Sequence, residues 1–471
     1  MRCLPALALL VFAWLTICGL PAFLLAQDPG VLAEFGKQAL AAGRYEEAVR
    51  IYADLVRRIP GNPGLLLNLG MAQQLSDDNK SAVATLQSAL ELDPKIPPAH
   101  LFLGIAYIKL DQPARAIAPL RAFLASDPNH EDARLLLADA LLTTGKPEEA
   151  VTHYGKLSTP RAIVGLGRAH EAVASSAFEQ IERLQPGSAW GYALAGEARF
   201  TQRQFSSAFY LLREALKRNP NIEGLHSLIA NIYRETGHAD WAATEEALEK
   251  KVVPARPPAR YTKARTAQKQ AAEAYGRLLK LPPTLETHRF LAETFRLQKR
   301  HVEEVSQWEA ALKLDPDNPA LLTELAIAKH YARDDTAAQA ILEKLLPQNP
   351  QSVQWNFMLG DTLLAQQQAD KAIPYLRKAA ELDPNVLAVH SSLGRALVLV
   401  GRGSDAISHL QKARPIDKDG SLHFQLFRAY QSAGQADLAK QVLARYQQIR
   451  KSMDVEKQIV EEEVKITPPT R

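Results

Sequence analysis

A chain of 471 residues that is 46% hydrophobic and 23% charged has ample apolar side chains for a packed core, which excludes global disorder and a polytopic membrane protein. Its 56 basic and 52 acidic residues leave a formal charge of +4, so bulk electrostatics give no case for nucleic acid or an anionic membrane as the main partner, and such binding would need a local patch. Length alone suggests about three compact domains of roughly 150 residues each.

The first 26 residues carry one charged side chain, Arg2, then an apolar run from Ala6 to Ile17 broken by Gly19 and Pro21. This is the pattern of a cleaved secretory signal ending near Ala26, which places the mature chain in the periplasm or outside the cell. Retention as a membrane anchor, or lipidation at Cys18 within Leu15-Thr16-Ile17-Cys18, are the alternatives; Ile17 stands where a lipidation box wants a small residue. Cys3 and Cys18 are the chain's two cysteines, so the chain after the leader has no disulfide, cysteine zinc site or cysteine nucleophile, as suits an oxidising compartment.

Beyond the leader, prolines recur in steps of 34 at Pro60, Pro94 and Pro128, at Pro186, Pro220 and Pro254, and at Pro316, Pro350 and Pro384. Alanines precede them by twelve, at Ala48, Ala82, Ala116, Ala174, Ala208, Ala242, Ala338 and Ala372, and Ala150 continues the row without a proline; in the regular repeats small residues precede those alanines by a further twelve, at Gly36, Gly70, Gly104, Ala138, Gly196, Ala230, Ala326 and Gly360. The apolar spacing around each small residue is helical, and turn residues such as Gly43-Arg44 and Gly145-Lys146 interrupt it, so each unit reads as two antiparallel helices. The small residue of the first helix is expected to face the alanine of the second, with Leu69, Leu86, Tyr107 and Leu120 filling the flanks. Proline then ends the second helix, because it lacks a backbone donor and clashes with the preceding turn.

Units such as Pro63 to Ile96, Pro97 to His130 and Val353 to Val386, the last with Met358-Leu359-Gly360, Ala372 and Ala379-Ala380-Glu381-Leu382-Asp383-Pro384, resemble the tetratricopeptide repeat. The resemblance implies an all-α solenoid of helix hairpins stacked in a right-handed superhelix, with about thirteen repeats between Pro29 and Met453. Departures from the period mark special places. The step from Ala150 to Ala174 is only 24, which suggests shortened hairpins around Thr159-Pro160 and Gly167. From Lys250 to Ala272 a first helix is expected to be lost to Pro254, Pro257 and Pro258, so that residues 251–262 separate an N-terminal lobe (29–250) from a C-terminal lobe (263–453). Glu304 takes an alanine position, leaving that hairpin either splayed or packed around the carboxylate's stem. Residues 454–471 read as a capping helix around Ile459, Val460 and Val464 with a frayed Pro468-Pro469 end.

Catalytic signatures are absent from the sequence: no glycine-rich phosphate loop, no paired zinc histidines and no glycine-flanked serine elbow, so neither an enzyme activity nor a cofactor is expected. The resemblance instead implies binding along the concave face lined by the first helices. Its positions are apolar early on, at Leu67, Met71, Leu101, Ile105, Ile108, Leu135 and Leu142, which suits an apolar or amphipathic segment. Later they become charged, at Arg161, Arg168, Glu171, Trp190, Glu197, Asn231, Arg234, Arg289, Glu293 and Arg296, which suits a charged extended peptide with Trp190 as anchor. Arg256, Arg260, Lys263 and Arg265, in a stretch without acidic residues, are either a solvated hinge or an anionic docking site. Asn68 matches one position of the family's carboxylate clamp, but Ala33, Pro98 and Phe102 stand where basic residues belong, which argues against a receptor for C-terminal carboxylates. The expectation is a non-catalytic protein-binding scaffold of the cell envelope; the alternative is an adaptor subunit of a secretion or polysaccharide synthesis and export complex.

Overall fold

The computed structural model describes residues 28–463 and 465–469, with 454–463 as backbone alone. Residues 1–27 with both cysteines, Val464 and the last two residues lie outside the described part, as does the apolar face expected at Ile459 and Val460. The described residues form 24 α-helices and no strand. They divide into two compact units: 28–175 with Thr266–Arg277, and Ser176–Arg265 with the residues from Leu278 onward.

The first unit holds four hairpins: α1 (Pro29–Ala41) with α2 (Tyr45–Arg58), α3 (Pro63–Leu75) with α4 (Asn79–Leu92), α5 (Pro97–Lys109) with α6 (Pro113–Ser126), and α7 (Glu131–Thr143) with α8 (Pro147–Tyr154). Each start is written in the sequence. Asp28, Asn62 and His130 accept hydrogen bonds from the amides of Gly30, Leu65 and Ala133, and proline, whose missing N–H costs nothing there, opens α1, α3 and α5. Each turn is tied by one left-handed residue, in steps of 34: Gly43, Asp77, Asp111 and Gly145, at φ of 72°, 66°, 55° and 73°.

The long α9 (Pro160–Leu184) begins in the first unit and ends in the second. The second unit continues with α10 (Ala189–Thr201) and α11 (Phe205–Arg218), then α12 (Leu225–Glu235) and α13 (Ala239–Glu249), followed by α14 (Ala259–Leu278), whose later part belongs to the first unit. Five more hairpins follow in the second unit: α15 (Leu285–Leu297) with α16 (His301–Leu314), α17 (Pro319–Tyr331) with α18 (Asp335–Leu345), α19 (Val353–Ala365) with α20 (Ala369–Leu382), α21 (Leu387–Leu399) with α22 (Gly403–Ala413), and α23 (Ser421–Ser432) with α24 (Ala436–Glu463).

Several local expectations are corrected. The shortened hairpins around Thr159-Pro160 and Gly167 are instead one helix of 25 residues, because nothing between Pro160 and Leu184 interrupts it. Gly167 is not a turn but a notch, into which the Tyr275 ring of α14 fits where a Cβ would sit. Ala174 packs with Val173 and with Ala267 of α14 rather than inside a hairpin of its own. The proline-rich break is shorter than expected: only 252–258 lack regular structure after the turn at Lys250-Lys251, and Ala259 opens a helix of 20 residues. Pro254, Pro257 and Pro258 all precede that helix, where they cannot break it. The two units meet the chain at 175, 265 and 277 rather than along 251–262. Residues from 454 do not start a new helix; they continue α24, the second helix of the last hairpin.

The small residues do make room, though chiefly for leucine. A Cβ on Gly70, Gly104, Gly360 or Gly394 would lie 2.5–2.6 Å from Cγ of Leu86, Leu120, Leu376 or Leu410, each sixteen residues on and four beyond the alanine. Those leucines and the alanines Ala82, Ala116, Ala372 and Ala406 are fully buried. Glycine thus lets a branched side chain lie directly on the first helix's backbone, where dispersion contacts are densest.

Candidate functional site

In the first unit, Leu67 on α3 and Leu101 on α5 occupy one register position, and Met71 and Ile105 another a turn further on; all four are half-buried. The next helix, α7, continues the first row with half-buried Leu135, but puts Asp139 in the second. Asp139 accepts a hydrogen bond from the Tyr154 hydroxyl at 2.5 Å and an ion pair from Arg161 at 2.7 Å. Burial, then the bond to Asp139, pushes the Tyr154 phenol well above its ordinary pKa. Arg161 is therefore anchored beside the apolar rows, and Arg168 lies exposed further along α9. The first unit presents a stripe of aliphatic side chains that ends at one acid–base pair.

In the second unit, residues expected to serve two separate surfaces meet one another. Trp190 of α10 packs against the Tyr261 ring of α14, with centroids 4.6 Å apart. Glu197, one helical face further along α10, accepts from the Tyr261 hydroxyl at 3.2 Å and lies 3.4 Å from Arg265 Nε. Burial raises the Glu197 pKa, while Arg265 and Tyr261 pull against that rise. Arg260 donates to Gln180 at 3.2 Å, and Arg256 and Lys263 are exposed. Trp190 and Glu197 are thus covered from within the chain, and Arg260 and Arg265 are bonded to the helices they cover.

Asn231 and Arg234 share one face of α12, where Arg234 donates to Asn231 at 2.7 Å and pairs with Glu246. Arg289 on α15 is exposed. Arg296 is held between Glu304 at 2.5 Å and Glu324 at 2.6 Å, and although burial opposes its charge, those two hydrogen bonds keep its pKa above the ordinary value. Glu304, fully buried in the alanine position of α16, also meets His301 at 2.9 Å and the Trp308 indole N–H at 3.4 Å. The hairpin is not splayed but packs around the carboxylate, which is satisfied by three partners, as a buried charge must be.

One contact was not legible in the sequence. The Tyr233 hydroxyl on α12 donates to the backbone carbonyl of Thr467 at 2.7 Å, and Ile466 packs against the cluster that contains Phe209, Tyr233 and Trp241. The end expected to be frayed is seated on the second unit's hairpins. A hint existed in the residue types: Tyr107, at the same register position, accepts from Gln87 twenty residues earlier, whereas the residue twenty before Tyr233 is Arg213. Arg213 lies 3.5 Å from the buried Glu245.

Among the described residues no three histidine, cysteine, aspartate or glutamate side chains are placed to hold a metal ion, and no helix is long and apolar enough to cross a membrane.

Comparison with known proteins agrees with the hairpin pattern. No curated protein matches the chain. Among solved structures, it is similar to a tetratricopeptide repeat protein from Parabacteroides merdae, at 14% identity over 79% of this chain and 99% of that one, with a TM-score of 0.35. It is also similar to a chain of the APC/C hetero-tetramer Cut9-Hcn1, at 14% identity over 94% and 98% with a TM-score of 0.35, and to MamA of AMB-1, at 24% identity over 35% and 98% with a TM-score of 0.32. Two models described as tetratricopeptide repeat match residues 39–95 and 363–423, and residues 101–158, 269–319 and 323–386. With repeats matched over more than half of the chain, on both sides of the segment from α9 to α13, the chain belongs to the tetratricopeptide repeat family.

Proposed function

We propose that the chain is a non-catalytic scaffold of the cell envelope that binds a helical or extended segment of another protein along the first helices of its hairpins. The observation that carries this reading is the aliphatic stripe of the first unit. Leu67, Leu101 and Leu135 repeat at the 34-residue step, with Met71 and Ile105 a turn further on, so the stacking of the first helices sets these half-buried side chains in rows that we read as an apolar track. An amphipathic segment recognises such a track through anchors at helical or alternate spacing. Arg161, fixed by Asp139 at the end of the track, supplies the polar contact that sets direction. The envelope assignment rests on the leader-like residues 1–26.

A photo-crosslinking residue placed at Leu101 or Ile105 in the exported chain tests the reading. It should capture a defined protein that the same residue at Lys80, exposed on α4, does not, and Leu101→Glu should abolish the capture. Equal labelling from Leu101 and Lys80 would sink the groove.

A further inference from the structure

The contact between Tyr233 and the chain's end is built from a buried donor and a distant acceptor. Tyr233 is 0% exposed, and a buried phenol needs a hydrogen-bond partner. Its acceptor is the carbonyl of Thr467, 234 residues away in sequence. Around that bond the surface is aromatic: Phe209 lies 5.6 Å from the Tyr233 ring and Trp241 meets it edge-on at 5.4 Å, with His238 stacked on Trp241 at 4.2 Å. Ile466 packs against this cluster, and Pro469 is half-buried. Burial first, then the Glu245 carboxylate, raises the Tyr233 pKa to about 12, so the hydroxyl remains a proton donor at every physiological pH.

The tail has the chemistry of a ligand rather than of a repeat. Residues 465–469, Lys-Ile-Thr-Pro-Pro, form no helix, and two consecutive prolines hold the backbone extended with little entropy left to lose. It offers one aliphatic side chain, one backbone acceptor and a rigid proline pair, which the site answers with an apolar cluster and a single hydroxyl donor.

We propose that the face of α12 and α13 around Tyr233 and Trp241 is a docking site for extended segments carrying an aliphatic residue shortly before consecutive prolines, and that the chain's own residues 465–469 keep it closed. A partner segment of the same chemistry opens it by displacement. This deepens the scaffold reading and rests on it for the existence of partners, but it concerns a different surface from the aliphatic track. Because the tail is tethered, it competes at an effective concentration in the millimolar range, and a free segment of equal intrinsic affinity binds the intact chain weakly.

The test uses a fluorescein-labelled peptide of residues 465–471 and follows anisotropy. A chain ending at Val464 should bind it at least about tenfold more tightly than the full chain does. Ile466→Asp in the full chain should release the tail and recover most of that gain, which keeps the test valid if the shortened chain loses its helical signal. Tyr233→Phe in the shortened chain should weaken peptide binding about fivefold, the loss of one net hydrogen bond. Equal affinity for intact and released chains, or no binding by released chains that keep full helicity, overturns the proposal. A full chain that dimerises with concentration and becomes monomeric when cut at Val464 overturns closure within one chain, since the tail would then dock on a second copy. Crosslinking at Leu101 reads the other surface, so failure there leaves this result standing, and the reverse holds.

Discussion

Arg265 Nε lies 3.4 Å from the Glu197 carboxylate, joining a helix that follows the proline-rich segment to the first helix of a hairpin more than sixty residues earlier. In the same place Tyr261 covers Trp190 and donates to Glu197. The start of α14 therefore lies along α10, and the aromatic side chain that the sequence marks as an anchor is already packed against Tyr261.

That contact predicts an uneven mutational pattern. Tyr261 is 2% exposed, so Tyr261→Ala should cost about 3 kcal/mol in urea unfolding and shift Trp190 emission to longer wavelength. Arg265 is 44% exposed, and solvent screening limits Arg265→Ala to less than about 1 kcal/mol. If Tyr261→Ala is as mild as Arg256→Ala, α14 does not cover α10.

A second test concerns the notch between helices. Gly360→Ala gains about 1 kcal/mol of helix propensity, yet its new Cβ would lie 2.5 Å from Leu376 Cγ and 2.8 Å from Cδ2. Cγ is too near the Leu376 backbone to swing away, so overpacking of about 1 to 3 kcal/mol should win and lower the melting midpoint. Ala372→Leu should lower it further, while Lys371→Leu on the exposed side should be nearly silent. A neutral Gly360→Ala would mean that the glycine row is not a packing device.

The repeat register was legible because three physical requirements recur at fixed spacing: a stop for the second helix, a notch for Leu376 and its equivalents, and a cap for the next first helix. Asn62, Asn318 and Ser352 show the last of these, each accepting a hydrogen bond from an amide in the turn it opens. What local pattern could not convey is pairing at a distance. Nothing near Ala174 announces Ala267, and nothing near Tyr233 announces Thr467, because each member looks locally like an ordinary helix or tail residue. The charged positions misled for the same reason: Arg296 and Glu304 read as surface and defect separately, and as one satisfied network only when placed together.

The turns offer a third test. Arg333 and Gln367 sit at φ of 67° and 63°, at the position that Gly401 fills at 77° one repeat later. Only glycine takes this conformation without a Cβ penalty of about 1–2 kcal/mol. Arg333→Gly and Gln367→Gly should each raise stability by up to about 1 kcal/mol, and Gly401→Ala should lower it by a similar amount. Both changes destabilising would show that the side chains of Arg333 and Gln367 outweigh the backbone.

A fourth test is the pH response around His330. Its Nδ1 lies 2.6 Å from Asp335 and its Nε2 3.6 Å from Asp361, with the Tyr331 ring alongside and Ser392 donating to Asp361. The Asp361 contact, partly opposed by burial and then aided by Asp335, raises the histidine pKa above its ordinary value. A raised histidine pKa contributes stability that is complete below the unfolded value near 6.5 and is lost as pH climbs through the folded value. Unfolding free energy should therefore fall on the alkaline side of 6.5, and His330→Gln should flatten that limb. An unchanged slope in His330→Gln would place the titration elsewhere.

The last test concerns the segment after α13. Residues 252–258 lack regular structure, Val253 is 75% exposed, and the Ala255 amide ties the stretch to an earlier hairpin by its bond to the Asn221 carbonyl at 2.8 Å. Such a stretch opens at far lower free energy than the helices around it. Trypsin should cut first after Lys250 or Lys251, because Arg256 is followed by Pro257 and both Arg260 and Lys263 lie in α14. The nicked halves should nevertheless elute together under native conditions. Residues 252–265 remain packed on the earlier hairpins through Tyr261 with Trp190 and Arg265 with Glu197, and residues 466–467 through Tyr233. Tyr261→Ala combined with a chain ending at Val464 should loosen that association and release the halves. Spontaneous separation of the unaltered nicked protein would instead mean that 251–262 divides two lobes, and that the contacts of α14 with α10 do not hold the chain together.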